Sequence, residues 1–185
     1  IMNESFADLR VWGNLELNQE YLPFYNRLKT DTVRGQLHAS VLGGGTANSE
    51  FEVLTGCSMG LLPASCYPYQ QLISKEFPSM VSLLKEEGYT TYSIHPENRR
   101  NWNREKVYEY LGFDHSYWME DFDGGEILHA GISDREIYQR VIDIYESREA
   151  DAKLFLYNVT MQNHGGYTWV DLEETIQATN LDSRD

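Results

Sequence analysis

The sequence predicts an α/β fold with a mostly parallel sheet flanked by helices. Three observations carry this. Strand-like and helix-like segments alternate along the chain. Residues 153–160 form a nearly continuous apolar run, the pattern of a strand buried on both faces. Residues 89–94 are rich in β-branched and aromatic side chains and lie between two helical stretches.

Taken in order, residues 1–2 read as the end of a strand that delivers Glu4 to a loop. Residues 21–28 read as a short helix. Residues 33–41 have β character, with Val33, Leu37 and Val41 as their apolar positions. Gly43, Gly44 and Gly45 then free the backbone for a tight turn. Thr46 can cap a helix over residues 47–54, with Phe51 and Leu54 facing inward and Gly56 as its stop. Residues 60–69 contain Pro63, Cys66 and Pro68 and read as a loop. Pro78 suits the first turn of the next helix, where a missing N–H costs little. Phe77, Val81 and Leu84 share its inner face and Gly88 ends it. The strand over 89–94 points His95 into the following loop. Residues 104–111 are helical and Gly112 closes them. Ser133 and Glu136 have the spacing of a capping box. The helix they begin runs to about residue 149, with Ile137, Val141 and Ile144 on one stripe. The apolar strand over 153–160 then hands Met161-Gln162-Asn163-His164 to a loop.

The 185 residues suffice for one domain with a core. Hydrophobic residues at 41% and charged residues at 24% are a globular rather than a disordered composition. A formal net charge of −14 repels phosphate backbones, which argues against nucleic acid as a partner. Arg99, Arg100 and Arg104 form a basic cluster too short for a nucleic-acid track but large enough for one anion. The 13 tyrosines suit clefts that bind polar organic groups. No apolar run approaches the ~20 residues that cross a bilayer, and no signal peptide is visible. Cys57 and Cys66 fit neither a metal motif nor a redox Cys-x-x-Cys. They read equally as a small-loop disulfide of an exported protein or as two thiols. The first and last residues read as cuts within a longer protein, so the domain is expected to be incomplete.

Several polar residues follow predicted strands, where ligands of open parallel sheets collect. Glu4, Thr46, His95 and His164 all do so. A threonine after glycines at a helix start is exposed, and the helix N–H groups suit phosphate or sulfate oxygens. It needs a base or a metal to act as a nucleophile; otherwise it is an ordinary capping residue. Glu4 is a hard oxygen ligand for Mg²⁺, Mn²⁺ or Zn²⁺ if it is not merely solvated. His95, Glu97, Trp102 and Arg104 lie within one short segment. Arginine forks onto phosphate oxygens, histidine can donate to the same group, and tryptophan can pack the apolar part of a small alcohol. The alternative is a surface loop around a buried Trp102.

Asn3-Glu4-Ser5-Phe6, Thr46-Ala47-Asn48-Ser49-Glu50-Phe51, Trp102-Asn103-Arg104 and Thr160-Met161-Gln162-Asn163-His164 together resemble lipoteichoic acid synthases and related phosphoglycerol transferases. These form part of the sulfatase-like branch of the alkaline phosphatase superfamily. The resemblance runs in order from Glu4 to Tyr167. It implies a sulfatase/alkaline-phosphatase-like sheet, of which residues 1–185 would be the N-terminal part of the catalytic domain. It implies that Glu4 is a metal ligand and that Thr46 is both nucleophile and metal ligand. It implies that His95, Glu97, Trp102, Arg104 and His164 line the substrate pocket. The family usually has Asp where Glu97 stands. The implied cofactor is a divalent metal, Mn²⁺ or alternatively Mg²⁺. The family completes that site with an Asp-His pair on a later strand. Asp114-His115 has the right letters in the wrong place and is expected to be a decoy, so the metal site should be incomplete.

The implied reaction moves phosphoglycerol from phosphatidylglycerol, or a similar anionic phospholipid head group, to a glycerophosphate or glycan acceptor through Thr46. The implied location is the extracellular face of the cell membrane. A true sulfatase needs Cys or Ser within Cys/Ser-x-Pro-x-Arg, and neither cysteine here has it. A phosphoethanolamine transferase, a hydrolytic phosphodiesterase and a non-catalytic binding fragment are the competing readings. An unfinished sheet would also expose an edge, which invites self-association.

Overall fold

The computed structural model describes residues 1–6, 8, 13–41, 44–167 and 175–181, so Gly43 of the predicted glycine turn lies outside the described residues. The chain forms two compact units. One comprises Phe6–His38 and Tyr167–Asp185, the other Ile1–Ser5 and Ala39–Gly166.

The first of these holds helix α1 (Pro23–Arg27), which Pro23 opens from its N1 position. Leu17 and Ala178 make an isolated antiparallel bridge. The strand expected over residues 33–41 is absent. Val33 and Leu37 are almost fully exposed. Their β propensity counts only when a neighbouring strand pairs with them, and none does.

The larger unit runs α2 (Thr46–Thr55), α3 (Pro68–Gln71), α4 (Met80–Glu86), β1 (Tyr89–Ile94), α5 (Arg104–Leu111), β2 (His115–Tyr117), β3 (Ile127–Leu128), β4 (Gly131–Ile132), α6 (Asp134–Ser147) and β5 (Lys153–Asn158). β1 lies between β2 and β5, parallel to both. β3 and β4 form a short antiparallel hairpin.

Alternation along β5 assigns its faces. Phe155, Tyr157 and the following Val159 meet a core built from Ala47, Phe51 and Leu54 of α2, Val81 of α4, and Val107, Tyr108 and Leu111 of α5. Leu154 and Leu156 meet a second core with Ile94, Ile132, and Ile137 and Ile144 of α6. The sheet is therefore covered on both faces, as the apolar run over 153–160 requires.

Three helix starts differ from expectation. Thr46 is the first residue of α2 rather than its cap. Gly45 takes that position at φ +70°, and Thr46 makes no capping hydrogen bond. Ser79 caps α4 in a reciprocal box with Ser82, and Pro78 stands just before it. Ser133 accepts from the Glu136 N–H at 3.3 Å, but the box its spacing predicted is only half formed, because the Ser133 N–H donates to the Glu126 carbonyl at 2.8 Å. α6 stops at Ser147, because Arg148 is extended. The loop expected over 60–69 also ends in a helix, with Pro68 at the first position of α3.

Candidate active site

The strand ends build the site. Past β5, the Met2 N–H donates to the Asn158 carbonyl at 2.7 Å and the Thr160 N–H to the Met2 carbonyl at 3.1 Å. Met2 thus bridges Val159 in parallel and extends the sheet by one short rung. The Glu4 N–H then donates to Thr160 Oγ1 at 3.1 Å, which holds the turn carrying Glu4 over the strand ends. The αL glycine before α2 brings Thr46 to the same place. Thr46 Oγ1 donates to Glu4 Oε2 at 2.7 Å. The other carboxylate oxygen, Oε1, accepts from Ser5 Oγ at 3.3 Å.

His95 is the first residue after β1 and is 1% exposed. Its Nδ1 lies 3.2 Å from the Val159 carbonyl. A carbonyl only accepts, so Nδ1 carries the proton and Nε2 presents a bare lone pair. Nε2 has no hydrogen-bond partner among the described residues. Burial, helped by the nearby Arg104 charge and opposed by Glu50, lowers the His95 pKa to about 4.

Behind the site sits an ion pair that the sequence reading did not use. Arg104 Nη2 donates to Glu50 Oε1 at 2.6 Å, and Nε lies 3.2 Å from both carboxylate oxygens. The Tyr108 hydroxyl donates to Glu50 Oε2 at 2.8 Å. Both charged side chains are fully buried. Burial works against the charged Glu50, yet Arg104, His95 and Tyr108 together hold its carboxyl below the ordinary range. Burial and the Glu50 charge push the Tyr108 and Tyr69 hydroxyls well above theirs. A signal for Glu50 was present. Ala47, Glu50, Phe51 and Leu54 fall at i, i+3, i+4 and i+7 of one helix, so the carboxylate shares the buried stripe.

The expected anion site at Arg99, Arg100 and Arg104 does not form. Arg104 turns inward to Glu50, and Arg99 pairs with Glu105 and Glu120. Of the predicted pocket residues, Glu97 accepts from the Asn98 N–H at 2.6 Å. Trp102 packs against Tyr67, with ring centroids 5.2 Å apart. His164 is exposed in the loop after β5, and its carbonyl accepts from His129 Nε2 at 3.0 Å. The structure thus joins Glu4 to Thr46 directly. His95 and Arg104 converge around Glu50, whereas the Glu97 carbonyl accepts from the Met119 N–H at 3.3 Å and the His164 carbonyl from His129, and no hydrogen bond joins either residue to Glu4 or Thr46 among the described residues.

Asp114 is tied to the Lys85 ammonium at 2.6 Å and to Thr91. His115 opens β2 and stacks on Tyr92. Neither faces the strand ends that hold Glu4, as expected of a decoy. Cys57 and Cys66 are free thiols, the first exposed and the second buried.

Glu4 and Thr46 place two hard oxygens side by side, the right donor chemistry for Mn²⁺ or Mg²⁺. No group of three or more His, Cys, Asp or Glu residues converges among the described residues. These two oxygens fit part of such a site.

His95 yields a pH prediction. Its folded pKa lies below the 6.5 of a free histidine. Above pH 6.5 the imidazole is neutral in both folded and unfolded states, and its effect on stability is flat. As pH falls from 6.5 towards 4, the unfolded chain takes the proton first and stability drops. The full loss is about 3 kcal/mol at ~1.4 kcal/mol per pKa unit. Urea midpoints between pH 7.5 and 4.5 should decline, and His95→Gln should remove much of that slope.

A sulfatase family model matches residues 1–179. The putative cyclic beta-1,2-glucan modification protein of Rhizobium meliloti is 34% identical over 167 residues, which is 90% of this chain and 25% of that protein. The lipoteichoic acid synthase of Staphylococcus saprophyticus is 28% identical over 96% of this chain and 28% of its own length. The chain therefore spans roughly a quarter of these relatives. The solved Streptococcus pyogenes phosphoglycerol transferase GacH, in complex with sn-glycerol-1-phosphate, superposes on 99% of this chain and 49% of its own. The TM-score is 0.79 at 24% identity, a likeness of fold.

Proposed function

The chain belongs to the sulfatase family, and on that premise we propose that it falls in the lipoteichoic-acid-synthase-like branch and carries the nucleophile half of a phosphoglycerol transferase site. The contact of 2.7 Å between Thr46 Oγ1 and Glu4 Oε2 carries this reading. Residues 1–185 would be the N-terminal part of the catalytic domain, and the remaining metal ligands would come from elsewhere in a longer protein. The chain by itself is then inactive.

The reaction has two displacements. Thr46 Oγ1, whose proton is held at Glu4 Oε2, attacks phosphorus of phosphatidylglycerol. The Oγ1–P bond forms, the bond to the diacylglycerol oxygen breaks, and diacylglycerol leaves with a proton. An acceptor hydroxyl then attacks the same phosphorus, the Oγ1–P bond breaks, and the Thr46 hydroxyl is restored. A divalent ion held by Glu4 and Thr46 would lower the pKa of the hydroxyl and offset phosphate charge.

Glu50 occupies the Nε and Nη2 edge of Arg104, which leaves Nη1 for a phosphate oxygen. His95 is neutral at pH 7 with a bare Nε2, so it accepts a hydrogen bond from a glycerol hydroxyl rather than donating to phosphate. Trp102 covers the apolar side of the glycerol, and Glu97 and His164 close the pocket. The 34% identity to a glucan modification protein favours a glycan acceptor over a polyglycerophosphate one.

The site would work at the extracellular face of the membrane, anchored by segments other than those described here. None of the described helices is long and apolar enough to cross a bilayer. Vesicles of stated lipid composition test the donor. The full-length enzyme should release diacylglycerol from phosphatidylglycerol and much less from phosphatidylethanolamine. Equal or reversed rates would favour the phosphoethanolamine transferase.

A further inference from the structure

A cavity of about 360 Å³ opens beside the glycine turn that precedes Thr46. That volume falls in the range of small-ligand sites, on the order of 300–1,000 Å³. Its lining combines the apolar Val41, Met59, Pro63 and Ala64 with Ser40, Asn48 and Tyr67, and no charged side chain among the described residues contributes to it. Gly44 and Gly45 sit immediately before Thr46, and Asn48 lies half a turn into the same helix. A side chain at Gly44 would project into open space, so the glycine leaves the cavity wall as bare backbone.

The aromatic side of the cavity is buttressed. Tyr67 is 38% exposed, and its ring leans on Trp102 at 5.2 Å and 45°. Trp102 and Asn103 both hold left-handed backbone, at φ 58° and 61°. That conformation is uncommon for residues with a side chain, and surrounding contacts must maintain it. One does so visibly: Asn103 Nδ2 donates to the Tyr69 carbonyl at 3.2 Å. The polar side is only partly used. Asn48 Nδ2 donates to the Cys66 carbonyl at 3.2 Å, and Asn48 Oδ1 remains an acceptor.

An aromatic face, an amide, hydroxyls and exposed backbone, without charge, suit a neutral polyol ring. A phosphate would find no cation among the described lining residues, while Val41, Met59 and Pro63 offer the C–H face of a sugar further apolar contact. We propose that this cavity is the acceptor subsite and that it holds a neutral sugar ring stacked on Tyr67, with one hydroxyl directed at the phosphorus on Thr46. The proposal rests on the transferase reading above. In the step it serves, the sugar O–P bond forms, the Thr46 Oγ1–P bond breaks, and the sugar hydroxyl proton passes to Oγ1.

The test uses the full-length enzyme, phosphatidylglycerol vesicles and neutral glucose oligomers as acceptor. Diacylglycerol release without acceptor reports the first displacement. Acceptor-dependent transfer reports the second. Tyr67→Ala, which removes the stacking face, and Ala64→Trp, which fills the cavity from its rim, should each raise the acceptor KM by roughly tenfold or more. In Ala64→Trp diacylglycerol release should stay within about twofold of the parent rate, whereas Tyr67→Ala also uncovers Trp102 and is read by its acceptor KM. Tyr67→Phe should keep the parent KM.

An unchanged acceptor KM in both variants would overturn the proposal. So would a parallel fall in diacylglycerol release in Ala64→Trp, which would place the donor lipid in the cavity. An enzyme that forms the Thr46 adduct yet ignores glucose oligomers overturns it too. Absence of any Thr46 adduct instead removes the transferase reading beneath it.

Discussion

Thr46→Ala in the full-length enzyme is expected to reduce phosphatidylglycerol turnover by about 10⁴-fold or more, because no second hydroxyl takes the place of the nucleophile. The fold should survive. Gly45 caps α2 by its backbone conformation, and Thr46 makes no capping hydrogen bond. The substitution removes one half-buried hydrogen bond to Glu4, a loss of about 1 kcal/mol. Thr46→Ser keeps an oxygen at the same position and should retain measurable turnover. Turnover assays beside urea unfolding separate the two effects. An alanine variant with normal rates would remove Thr46 from the reaction.

Glu50→Ala should be the most damaging single change to stability. It leaves the Arg104 guanidinium, 2% exposed, without its counter-charge, and it takes the acceptor from Tyr108. Breaking one side of a buried pair costs about 3–5 kcal/mol. That is a large share of the ~5–15 kcal/mol that holds a typical domain folded. The cost comes from the orphaned charge rather than from a strong attraction lost, since desolvation consumes most of the pair's Coulomb energy. Arg104→Met combined with Glu50→Met should therefore recover much of the loss, as urea midpoints of both single variants and the double variant will show. Recovery of folding without recovery of turnover would separate the structural part of this pair from the role proposed for Arg104 Nη1 at the phosphate.

The sequence reads well where a local signal and the tertiary outcome agree. β1 and α5 fall where β-branched density and the closing Gly112 put them. β5 ends two residues earlier than the apolar run, because past Asn158 the backbone turns to other partners: Val159 bridges Met2 and its carbonyl meets His95. β2 has three residues, too few to show a period, and exists because β1 offers a parallel partner. Residues 33–41 have the composition of a strand and no such partner.

The site divides in the same way. The motifs around Glu4 and Thr46 point to groups that the structure joins. The Arg99, Arg100 and Arg104 run does not make a cluster, because helical periodicity sends Arg104 inward while Arg99 remains at the surface. Glu50 was hidden by its letter. A charged residue on an apolar stripe is easily assigned to solvent, and only its i+3 spacing from Ala47 places it inside.

The transferase chemistry depends on a covalent bond at one oxygen. The most direct measurement is mass spectrometry of the full-length enzyme quenched during turnover of phosphatidylglycerol, with the modified peptide sequenced. A phosphoglycerol group on Thr46, absent from Thr46→Ala, is the predicted result. Steady turnover with that peptide unmodified, or with the group on another residue, would contradict it.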